Sequence, residues 1–200
     1  MGLAANFYIV TDWDYIASLS TEDELAAVFD EAKERLLECP TPSVENSTTP
    51  YWCYLYEAEF ALTYWKFAGR AGSETYTDVI RPILDETTRV RADACLQALF
   101  WHGCDCDLPQ QRDLEKGEQF VGYNHGFLVS IRPENVSHLR TELIYLIQRF
   151  THPEMQQALG AAPDSDYTCS WQIWAGYIEL WQALLSEANS KNAGILVEAT

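Results

Sequence analysis

Residues 127–150, FLVSIRPENVSHLRTELIYLIQRF, decide how the fold is read. Phe127-Leu128-Val129-Ser130-Ile131 is short and rich in strand-forming side chains. Pro133 then opens a segment of a different period, in which Val136, Leu139, Leu143, Ile147 and Phe150 recur at helical intervals and form one apolar stripe. A strand leading directly into an amphipathic helix requires both kinds of element around one core. Working outward, Phe7-Tyr8-Ile9-Val10 and Ile195-Leu196-Val197 read as two further strands. Three short strands with helices between them predict a single α+β domain over residues 1–200, mainly helical around a small sheet. The length of 200 residues suits one large domain, and 48% hydrophobic against 22% charged residues excludes disorder.

The remaining segments are expected to be mostly helical. Thr21 and Glu24 have the spacing of a capping box, followed by the stripe Leu25, Val28, Phe29, Ala32 and Leu36, until Pro40 ends the helix. Glu24, Asp30, Glu31, Glu34 and Glu38 fall on its outward side. Thr49-Pro50 resembles an N-cap with proline at the first helical position, which predicts a helix over 51–68 stopped by Gly69. Trp52, Tyr54, Tyr56, Phe60, Tyr64, Trp65 and Phe67 would surround nearly its whole circumference, so it is expected to be central and buried. A helical stretch from about Tyr76 is interrupted at Pro82 and resumes from about Thr88 to Trp101. Residues 104–122 lack periodicity and read as a long loop. A short helix over 154–159 stops at Gly160, and the last helix carries Trp171, Trp174, Ile178, Trp181 and Leu185 on one side.

Charge narrows the function. Thirty acids against 13 bases give a formal net charge of −17. Such a surface repels nucleic-acid phosphates and anionic lipid, and no stretch approaches the roughly 18 apolar residues of a membrane span. Residues 1–60 hold 12 acids and 2 bases, so the excess is concentrated near the start. A basic protein is the partner this charge favours. The N-terminus lacks the basic and apolar regions of a secretory signal, and the six cysteines do not resemble a disulfide scaffold, so a cytoplasmic location is expected.

Two constellations suggest chemistry instead. His102, Cys104 and Cys106 are of zinc-ligand type, although no second ligand pair stands at a definite spacing; Cys95 or His125 could complete the set. Glu57 and Glu59 lie in the aromatic segment, where burial would raise a carboxyl pKa toward general-acid range. On a helix they would point about 200° apart, so one of them needs solvent, a cavity or a basic partner such as Arg89 or Arg91. His138 and Glu142, four apart on a helix, can serve as a ligand or acid–base couple, but such a pair is more often a surface contact. There is no phosphate-binding glycine loop, nucleophile elbow, H-E-x-x-H or dinucleotide fingerprint.

Parts of the chain resemble the YfbM-like family of bacterial proteins. The resembling pieces are Met1-Gly2 leading to Phe7-Tyr8-Ile9-Val10 and an acidic helix, Gly122-Tyr123 leading to Ile131-Arg132-Pro133-Glu134-Asn135-Val136, and Tyr177-Ile178-Glu179-Leu180 through Ala188 to Gly194-Ile195-Leu196-Val197. They cover about a third of the chain, and residues 51–106 depart from the pattern. The resemblance implies an α+β bacterial cytoplasmic protein and brings no catalytic residues with it.

Together these features favour a non-catalytic acidic protein of the immunity or inhibitor kind. Glu24, Asp30, Glu31, Glu34 and Glu38 would engage a basic protein, with no metal or cofactor. The alternative is an enzyme or small-molecule-binding protein with a pocket between helix 51–68 and loop 104–122, using Glu57, Glu59, His102, Cys104 and Cys106, the last three with zinc. A homo-oligomer is a third possibility.

Overall fold

A computed structural model describes residues 5–19, 24, 27–32, 52–56, 75–99, 127–161 and 171–199. Its centre is a four-stranded antiparallel sheet of β1 (Ala5–Val10), β2 (Cys53–Leu55), β3 (Phe127–Ile131) and β4 (Gly194–Ala199), ordered β2-β1-β4-β3. The helices are α1 (Trp13–Ser18), α2 (Glu86–Gln97), α3 (Pro133–Phe150), α4 (Pro153–Ala161) and α5 (Trp171–Ser190), with residues 27–32 also helical. The α+β class, mainly helical around a small sheet, is therefore as expected, with four strands among the described residues rather than three.

The extra strand overturns one reading. Residues 53–55, expected inside the aromatic helix, pair with β1 in the register Tyr8–Leu55, Ile9–Tyr54 and Val10–Cys53. An apolar run with aromatics on every side suits a strand covered on both faces as well as a buried helix, and composition alone does not separate the two. What decides here is the open edge of β1, whose backbone groups need partners. Thr11 and Asp12 N–H groups donate to the Trp52 carbonyl at 2.8 and 3.2 Å, and Tyr56 N–H donates to the Phe7 carbonyl at 2.8 Å, sealing both ends of the pairing. Residues 57–68 lie outside the described residues.

The sheet divides the core in two because successive side chains alternate sides. Phe7, Ile9, Val129, Ile131, Ile195 and Val197 face the larger core, with Leu139, Leu143 and Phe150 of α3 and Trp174, Trp181 and Leu185 of α5. On α3 the buried stripe passes through Leu146, whereas Ile147 is only half-buried. Trp181 meets Phe7 edge-on with centroids 5.9 Å apart, and Trp174 meets Phe150 at the same separation. Tyr8, Val10, Cys53 and Leu196 face the smaller core, closed by Ile16 of α1 and by Phe29 and Ala32. Phe7-Tyr8-Ile9-Val10 is thus a continuous apolar run because β1 is buried on both faces. Gly194 faces Trp13, and a methyl group there would overlap the indole and lie 2.8 Å from the Ile131 carbonyl oxygen.

The break expected at Pro82 is present. Tyr76–Ile80 form a π-helical turn and Arg81–Ile83 a 3-10 turn, before Asp85 caps α2 by accepting from the Thr88 N–H at 2.9 Å and the Thr88 hydroxyl at 2.7 Å. The helix resumes at Glu86, two residues before the expected start. Farther on, α4 runs through Gly160 to Ala161 rather than stopping at the glycine, which costs a helix about 1 kcal/mol and does not terminate it unaided.

Candidate functional site

The acidic layer is built on the smaller core. Asp12 caps α1, its carboxylate accepting from the Tyr15 N–H at 3.0 Å, and Ile16 anchors that six-residue helix. Beside it Phe29 enters edge-on between Tyr8, 5.1 Å between centroids, and Trp52, 4.8 Å. Tyr15 and Trp52 make a tilted contact at 6.0 Å, bringing α1 and residues 27–32 into one layer over the same sheet face. With Phe29 and Ala32 buried and Val28 half-buried, the opposite side of the helical turn carries Asp30 and Glu31, both exposed. This is the amphipathic division expected from the sequence.

Glu24, Asp12 and Asp14 are exposed as well. Residues 5–19, 24, 27–32 and 52–56 thus display five acids and contain no lysine or arginine. Glu24, Asp30 and Glu31 each also interact within the chain, so the layer offers a partner a negative field rather than vacant hydrogen-bonding groups. Of the expected face, Glu34 and Glu38 lie outside the described residues. So do Glu57, Glu59, His102, Cys104 and Cys106, together with loop 104–122, so the alternative pocket and its zinc ligands lie outside them too. Among the described residues no three His, Cys, Asp or Glu side chains come together as a metal site.

The structure assembles a second polar group that sequence reading missed. Arg91 grips Glu142 of α3 with Nε 2.7 Å and Nη2 3.0 Å from its two carboxylate oxygens. The hydrogen bonds from Arg91 hold Glu142 below the usual carboxylate range. The same guanidinium lies 3.5 Å above the Tyr145 ring. Hydrogen bonding with Thr88 and then Arg149 lowers the Tyr145 phenol. Nearby, Asp93 accepts from Arg81 at 2.8 and 3.0 Å and from Tyr76 at 2.7 Å, and the arginine contributes most to lowering its pKa. These arginines therefore neutralise acids of their own neighbourhood and fasten α2 to α3 and to the turn before it. The available signal, Glu142 four residues after His138, concerned one helix only, and the partner on another helix was not readable from spacing.

At the edge strand, Tyr54 donates to Glu187 of α5 at 2.8 Å, and Lys191 stands 3.3 Å from the same carboxylate and 4.7 Å from the Tyr54 ring centroid. Cys53 and Cys95 are buried and in no disulfide, and burial pushes the Cys53 thiol far up, which leaves it protonated and unreactive. Among the described residues no helix is long and apolar enough to cross a membrane. Compared with protein families, curated proteins and solved structures, the chain matches none of them.

Proposed function

We propose that this chain is an acidic, cytoplasmic binding protein, immunity- or inhibitor-like, that engages a basic protein through the layer formed by α1 and residues 27–32. The observation that carries the reading is the separation of charge. Five exposed acids and no base occupy the described residues of that layer, while Arg81, Arg91 and Arg149 stand on elements that pack on the larger core, among their own acidic neighbours. A surface of predominantly negative charge accelerates encounter with a cationic one, and its reach is about 8–10 Å at physiological salt. Half-buried Trp13 and Trp52 and the exposed edge of Tyr15 border the acids, and aromatic side chains of this kind supply binding energy at protein interfaces. The YfbM-like resemblance is compatible with this reading: its pieces supply β1, β3, the start of α3, and α5 with β4, which adjoin in the sheet and its cover.

The test is affinity capture from the native host at low and high salt, using the wild-type chain and the Asp30→Lys/Glu31→Lys variant. A basic protein retained by the wild type at low salt, released by salt and not retained by the variant supports the reading. Equal retention by the variant, or no basic protein at low salt, overturns it.

A further inference from the structure

We draw no further inference here: the strongest candidate, the side-chain cluster of Arg91, Glu142, Tyr145 and Arg149 between α2 and α3, is taken up by the Arg91–Glu142 ion pair and the stacking of both guanidiniums on Tyr145, and nothing in the structure shows a ligand that it would hold.

Discussion

Phe29→Ala removes the side chain that seats the acidic helix, and its cost can be worked from the surroundings. The ring is 2% exposed and touches Tyr8 and Trp52 edge-on, so truncation forfeits essentially the whole buried ring. Large-to-small changes of this kind cost about 3–5 kcal/mol, from which the better helix propensity of alanine recovers roughly 0.5 kcal/mol. The layer is thin and can settle onto the vacated space, which favours the lower half of that range. The net expectation is about 3 kcal/mol. With a urea slope of about 2 kcal/mol/M, the unfolding midpoint would fall by roughly 1.5 M. Phe29→Leu, which refills most of the volume, should lose only about 1 kcal/mol. The exposed neighbours Asp30 and Glu31, replaced by asparagine and glutamine, should stay within about 0.5 kcal/mol of wild type. Urea titrations followed by tryptophan fluorescence measure all of these. A Phe29→Ala midpoint within about 0.5 M of wild type, at unchanged slope, would mean that the acidic helix is not anchored to the sheet through this ring.

Four further outcomes are expected. Gly194→Ala should destabilise by about 1–3 kcal/mol through overlap with Trp13, and a thermal midpoint equal to wild type would contradict that contact. Tyr54→Phe should cost less than about 1 kcal/mol at neutral pH, because the carboxylate it bonds is partly solvated. The Tyr54 hydroxyl, ahead of Lys191, lowers the Glu187 pKa, so this stabilisation is present above the ordinary carboxylate pKa and is lost as pH falls through the lower folded value. The variant should therefore lose less stability than wild type between pH 5 and pH 2, about the range in which carboxylates titrate; parallel losses would count against it. Glu142 is lowered in the same direction by Arg91, so Glu142→Gln should melt well below wild type at pH 7 and converge with it in acid, as differential scanning calorimetry would reveal. Finally, Cys53 and Cys95 should resist a thiol reagent in the native protein and react fully in guanidinium, with mass spectrometry locating the adducts; rapid native labelling of either would deny its burial.

The fold was legible where one local pattern had one solution. Phe127–Ile131 before Pro133 specified a strand and then a helix, and Trp174, Ile178, Trp181 and Leu185 on one side of α5 are all buried as their spacing demanded. It was least legible at residues 53–55, where the choice between strand and helix depended on a free edge supplied by distant residues. The six-residue α1 was also missed, because a single buried Ile16 gives no period, although Asp12 at its cap was a usable signal. For the candidate site, the outward placement of Asp30 and Glu31 followed from the position of Phe29. Asp12 and Asp14 join the same layer through the packing of Ile16 and the contact of Tyr15 with Trp52, which spacing along the chain does not encode.

The pairing of β1 with β4 sets Ala5 opposite Ala199 and makes β4 the neighbour of both β1 and β3. A ribosome delivers β1 first and β4 last, so the middle of the sheet cannot close while most of the polypeptide is emerging. Long-range pairing of this kind slows folding and leaves apolar strands waiting in solvent. The nascent chain therefore has a long interval in which Phe7-Tyr8-Ile9-Val10 lacks its β4 neighbour, and premature termination before Gly194 would leave β1 and β3 without the strand that joins them.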